Sequence, residues 1–148
     1  MASWEEMEKG ELKLDEGLRL TTYKDSVGVK TIGYGHTGRE AVEGRTITLQ
    51  EAEDLFETDF EEAVTDAQNA VPFFMALDGP RKGALVNMAF QLGATKLSGF
   101  HGTLAAMDEQ DWNGAAKNVM NSLYARQARA RATRIAYRIR TGEYAIRT

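Results

Sequence analysis

The sequence of 148 residues predicts an α+β protein of two lobes: a small front lobe built on a β-hairpin, joined by a long helix to a larger all-α rear lobe. Three observations carry this prediction. Strand-like alternation is confined to about residues 18–35, and helical periodicity dominates after residue 48. One periodic run, from 49 to about 70, is much longer than any other.

Trp4, Met7, Leu12 and Leu14 are loosely spaced and predict a short first helix ending before Gly17. Leu18, Leu20 and Thr22 alternate with polar neighbours, Ser26-Val27-Gly28 offers a turn, and Val29 to Gly35 returns as the second arm of a hairpin. Residues 37–47 read as a Gly- and charge-rich loop with one more short strand at Arg45 to Ile47. Thr48 and Glu51 form a capping box, and Ala52, Leu55, Phe56, Phe60, Ala63 and Ala67 recur at helical steps. Asp59 interrupts that stripe and requires a partner. Beyond Pro72 the reading is helical throughout: Pro80 to Leu92 stopped by Gly93, about Thr103 to Met107, Trp112 to Ser122, and Ala125 to Arg140 stopped by Gly142. The whole chain, 1–148, is read as one domain. Its front lobe covers about 12–58, the connecting helix about 49–70 and the rear lobe about 71–148, with the N-terminal helix packing on the rear lobe. A cleft between the lobes is the default ligand site.

Composition narrows the chemistry. The chain is 43% hydrophobic and 27% charged, with no cysteine and two histidines, so it needs no disulfides and cannot build a thiolate zinc site. No metal or other cofactor is expected. The acidic start MASWEEMEKGELKLDEG lacks the basic and apolar regions of a signal peptide, and no run reaches membrane-spanning length. Synthesis in a cytoplasm is therefore expected. Residues 1–80 hold 7 Lys+Arg against 18 Asp+Glu, net −11, and residues 81–148 hold 11 against 4, net +7. Either the molecule is polarised with a positive face toward an anionic polymer, or it carries two segregated solvated surfaces.

No serine has His and Asp at motif spacing and no phosphate-binding loop is present, which leaves carboxylates for acid–base chemistry. Glu16 closes the first helix and Asp25 lies in the hairpin, so both can face one cleft, as glycoside hydrolysis requires. With 22 acidic residues, many such pairs exist. A competing reading takes ALVNMAFQLGATKLSGF and the Arg-rich stretch after it as a helix-turn-helix for nucleic acid.

The segments LDEGLRLTTYKDSVGVKTIGYGHT, RKGALVNMAFQLGATKLSGF and RARATRIAYRIRTGEY, in order over roughly residues 12–144, resemble the phage-type lysozymes of glycoside hydrolase family 24, the T-even phage group. Glu16, Asp25 and Thr31 stand at the spacing of that family's motif. The resemblance implies a lysozyme-like fold and a muramidase that cuts the β-1,4 bond between N-acetylmuramic acid and N-acetylglucosamine by inversion. Glu16 would protonate the leaving oxygen, while Asp25 with Thr31 would hold the attacking water. An inverting pair should stand about 6.5 to 9.5 Å apart. Gly33 and Gly35 would let backbone approach a sugar ring, and Gly35, Phe90, Gln91, Phe100, Thr103 and Asn118 match substrate-binding positions. Arg131 would support Glu16, and His36 would pair with Asp59. Asn87 and Gln127 read as residues that tie helices together.

The loop from Thr37 to Ile47 is shorter than in the T-even type, so a small helix there should be missing. Leu123-Tyr124 replaces an Arg-Trp pair of that type. The implied partner is the peptidoglycan glycan strand, not nucleic acid or a membrane. The implied biology is a monomeric endolysin held in the host bacterial cytoplasm until a holin-like pore releases it to the peptidoglycan of the periplasm. A bacterial or tail-associated lysozyme domain, or a non-catalytic wall- or DNA-binding module, is the alternative.

Overall fold

The computed structural model describes residues 2–145 and 147. Among them the elements run α1 (Trp4–Glu16), β1 (Arg19–Lys24), β2 (Lys30–Gly33), α2 (Leu49–Ala70), α3 (Gly79–Leu92), α4 (Ala94–Ser98), α5 (His101–Asp108), α6 (Trp112–Met120), α7 (Leu123–Gln127) and α8 (Arg129–Thr141). The class is α+β, as predicted, with a two-stranded antiparallel sheet among helices. The chain divides into two compact units, residues 9–62 and the remainder.

In the first unit β1 and β2 pair with Tyr23 opposite Thr31 and Lys24 opposite Lys30. The connecting turn is closed by the Asp25 N–H donating to Val29 O (2.9 Å) and the Gly28 N–H to Asp25 O (3.0 Å). The third strand expected at 45–47 shortens to a single bridge between Thr46 and Thr21. Arg45 is still bound into a turn through Val42 O, and Ile47 leads directly into the cap of α2, so no length remains for a strand. Residues 37–47 hold turns and no helix.

The capping box forms as read: the Glu51 N–H donates to Thr48 Oγ1 and the Thr48 N–H to Glu51 Oε1, each at 3.1 Å. From this start α2 puts Ala52 into a core with Ile32, Ala41 and Ile47, and its Phe56 and Phe60 are buried as well, Phe56 edge-on to Tyr34 at 5.5 Å. Burying each Phe contributes roughly 1.5–3 kcal/mol. Two lysines of α1 hold the same helix. Lys9 pairs with Glu57 (2.8 Å) and Lys13 with Glu53 (2.6 Å), their ammonium groups lying over the Phe60 and Phe56 rings.

In the second unit Asp78 caps α3 by accepting from the Arg81 N–H (3.0 Å), and Gly93 at φ +86° ends the helix. Two pieces fall outside the sequence reading, a 3₁₀ turn at Phe74–Ala76 and α4, because three and five residues are too short to show a period. Two helix boundaries are corrected. The helix expected to reach Ser122 stops at Met120, since Ser122 is extended and its hydroxyl accepts the Ala125 N–H as the cap of the next helix. The single helix expected over 125–140 is two, broken where Ala128 takes φ −138°, ψ 60°. No Gly or Pro marks that break. It is imposed by the packing of Tyr124 and Ala125 on one side and Ala132, Ile135 and Ile139 on the other, all buried.

A buried polar cluster crosses this unit. Glu8, fully buried, takes Oε1 bonds from Arg138 and from the Tyr144 hydroxyl (3.2 Å), and an Oε2 bond from Asn87 Nδ2 (2.8 Å). Burial pushes its carboxyl up to about 7 against the opposing pull of Arg138. Gly83 makes the room, because a Cβ there would stand 2.5 Å from Glu8 Oε1 and 2.6 Å from the Tyr144 hydroxyl. A glycine inside α3 costs about 1 kcal/mol relative to alanine, so the cluster explains an otherwise unfavourable residue.

Candidate active site

Glu16 is the last residue of α1, which closes on Gly17 at φ +70° with its N–H on Lys13 O (3.0 Å). The Glu16 carboxyl lies over Gly35. A Cβ at Gly35 would overlap Glu16 Oε1 and stand 2.9 Å from Cδ. Gly35 sits in a tight reversal in which Ile32 and His36 exchange both backbone bonds at 2.9 Å, with Gly33 and Gly35 at φ +67° and +70°. The two glycines give room to different neighbours. Gly33 is buried, and a Cβ there would stand 3.6 Å from Ala52 Cβ, whereas the space above Gly35 is occupied by Glu16.

Asp25 and Thr31 meet through Val29. The carbonyl of Val29 accepts both the Asp25 N–H (2.9 Å) and the Thr31 hydroxyl (3.0 Å). Asp25 Oδ1 accepts the N–H groups of Val27 (3.0 Å) and Val29 (2.8 Å), fixing the side chain within the hairpin turn. Its Oδ2 takes no bond among the described residues. The Thr31 hydroxyl has given its proton to Val29 O, so it meets any further group as an acceptor.

His36 is held on both ring nitrogens, Nδ1 to Asp59 Oδ2 and Nε2 to Glu40 Oε1, each at 2.7 Å. The Asp59 pairing answers the interruption in the stripe of α2, and Glu40 is a partner the sequence reading missed. Burial opposes charge on His36, but the two carboxylate bonds outweigh it and its pKa is raised. Burial raises Asp59, whereas the His36 bond lowers Glu40.

In the helical unit, Phe100, Thr103 and Asn118 line one pocket of about 510 Å³. Phe90 and Gln91, at the end of α3, are not among its lining residues. Thr103 is 2% exposed, and Phe100 meets Tyr124 edge to face at 6.1 Å. Arg131 donates from Nε to Asn87 Oδ1 (2.8 Å), which links it to Glu8. Asn87 thus ties helices as expected, whereas Gln127 lines the pocket. Lys96 also lines it and was not singled out from sequence, and so do Leu123 and Tyr124, the pair that stands in place of Arg-Trp. Glu8 was missed despite a signal: it stands four residues from both Trp4 and Leu12, on a stripe that buries Leu12.

A small hairpin carrying Asp25 and Thr31, with the helix-terminal Glu16 seated on a glycine turn, on a largely helical α+β chain, is the arrangement that the resemblance to lysozyme-like peptidoglycan hydrolases implies. The chain is a member of the phage lysozyme family, whose model matches residues 13–134. It is 36% identical over 155 aligned positions to the pre-baseplate central spike protein Gp5 of Enterobacteria phage T4, spanning 88% of this chain and 27% of that protein. To the probable T4-type lysozyme 2 of Dictyostelium discoideum it is 35% identical over 90% of this chain and 94% of the relative. To the endolysin of Salmonella phage P22 it is 35% identical over 60% of this chain and 62% of the relative.

Proposed function

We propose that this lysozyme is a muramidase working by single displacement with inversion, with Glu16 as general acid and Asp25 with Thr31 as the water-holding pair. The observation that carries the reading is the division of labour at Asp25. One oxygen is tied into the turn and the other is left to take a proton from water. The Thr31 hydroxyl, turned into an acceptor by Val29, takes the other hydrogen of the same water. A water donating both hydrogens this way directs its lone pair outward toward an anomeric carbon.

In this reading the glycan rests on Gly35, Phe90, Gln91, Phe100, Thr103 and Asn118. Arg131, held by Asn87, keeps the supporting role that the family resemblance implies, and His36 with Asp59 is structural. The chain acts as one monomeric domain and serves host lysis as an endolysin, made in the cytoplasm and released to the periplasmic wall by a holin-like pore. A second reading, a lysozyme domain working in a phage tail, is favoured by the likeness to the T4 spike protein over 88% of this chain.

Glu16→Gln should abolish clearing of permeabilised Gram-negative cells while thermal unfolding stays cooperative. Near-normal clearing by that variant rejects the mechanism. The first-formed anomer on a soluble muropeptide, read by rapid NMR, should be α. Expression in a host without any holin separates the readings of release: an endolysin that needs the pore gives no lysis from within.

A further inference from the structure

Glu8 carries a charge into the interior, and neither acid–base step of the reaction uses it. It heads a chain of bonds with a definite polarity. Glu8 Oε1 accepts from the Arg138 guanidinium and from the Tyr144 hydroxyl (3.2 Å), and Oε2 accepts from Asn87 Nδ2 (2.8 Å). Arg138 lies over the Tyr144 ring at 4.8 Å, so the two donors to Oε1 hold one another in place. Asn87 is itself fully buried, and its Oδ1 accepts from Arg131 Nε (2.8 Å). These residues all lie in one compact unit.

An ionised carboxylate only accepts and a guanidinium only donates, so the amide between them fits in one orientation. Turned over, it would set Oδ1 against Glu8 Oε2 and Nδ2 against the Arg131 Nε–H, like against like at both ends. A neutral Glu8 reverses the preference. Arg138 and Tyr144 keep Oε1 as an acceptor, so the proton sits on Oε2, where it draws Asn87 Oδ1 to itself and away from Arg131. An apolar side chain in place of Glu8 could pack α1 on α3 and α8, but it could not orient an amide. We propose that Glu8 is a positioning residue of the hydrolytic reaction: its carboxylate, acting through the Asn87 amide, fixes the Arg131 guanidinium in the orientation from which Arg131 supports Glu16. The proposal rests on the role given to Arg131 in the reading of the chain as a muramidase.

The test is Glu8→Gln in the whole protein. Its amide oxygen goes to the two donors Arg138 and Tyr144, its NH2 faces Asn87, and Asn87 turns over, so the Arg131 Nε–H loses its acceptor. The Arg131 Nε–Hε resonance should lose its hydrogen-bonded shift, and kcat on a soluble muropeptide should fall about tenfold with KM nearly unchanged, the order expected when one bond to a charged group is lost. Glu8→Gln combined with Asn87→Asp puts a carboxylate between the new amide and Arg131 Nε, and should return both the shift and most of kcat. Wild type gives a reading without any substitution. Burial raises the Glu8 carboxyl to about 7 against the pull of Arg138, while Arg138 stays charged and burial raises Tyr144 out of that range, so the Arg131 resonance should change as pH falls through 7. If Glu8→Gln melts earlier but keeps the Arg131 resonance and kcat, the role is purely structural and the proposal is overturned. A resonance that moves while kcat stays also overturns it. Wild-type protein that cuts no muropeptide removes the hydrolase reading instead, and the Arg131 resonance still reports separately whether Glu8 orients that side chain.

Discussion

Replacing Gly35 with alanine tests most directly the seating of Glu16, the proposed proton donor. At φ +70° a residue with a side chain is strained by about 1–2 kcal/mol. For a chain of this size that strain lowers Tm by roughly 3–6 °C. The added Cβ would stand 2.9 Å from Glu16 Cδ, against about 3.5–4.0 Å for an ordinary carbon contact, so the carboxyl must retreat by up to about 1 Å. A displacement of that size at a reacting group costs on the order of 10²-fold in rate. Gly33→Ala is the matched control. It carries the same strain at φ +67°, but its Cβ would find Ala52 Cβ at an ordinary 3.6 Å. It should lose the same few degrees of Tm with kcat intact below the melt. Thermal melts and initial rates of wall clearing, measured well below both transitions, check the pair. Full activity in Gly35→Ala, or an equal loss in Gly33→Ala, refutes the seating argument.

Asp25→Asn should keep its turn bonds, leaving Tm within about 2 °C, while wall clearing drops at least about 100-fold; Asp25→Ala should lose both, since each turn bond is worth about 0.5–1.5 kcal/mol. His36→Asn should lower thermal stability far more than activity. Because the His36 pKa is raised, the stabilisation it gives is complete below about pH 6.5 and lost as pH rises through the folded value, so the Tm difference from wild type should be larger at pH 6 than at pH 9. Glu8→Leu leaves Arg138 buried without its carboxylate and should cost about 3–5 kcal/mol in urea denaturation, whereas Glu8→Leu with Arg138→Leu should recover most of it. The Glu8 carboxyl, raised to about 7, contributes stability below its unfolded value that is lost as pH rises through 7, and the double variant should lack that slope.

Local signals in the sequence were enough for the elements whose causes are local. The capping box of Thr48 and Glu51 and the stripe after it define α2, since a cap and a 3.6 period both act within a few residues. The hairpin is legible for the same reason, through alternation and a glycine turn. Asp59 announced its need of a partner because a carboxylate on an apolar stripe is costly anywhere. Spacing and family resemblance brought Glu16, Asp25 and Thr31 into view together.

What only the tertiary structure decided are the relations between residues distant along the chain. The break at Ala128 has no breaker residue, so the packing of Tyr124 and the α8 stripe sets it. Gly35 is required by Glu16, nineteen positions before it, and Gly83 by Glu8 and Tyr144. A missing side chain says that space is needed, but which atoms fill it depends on the fold.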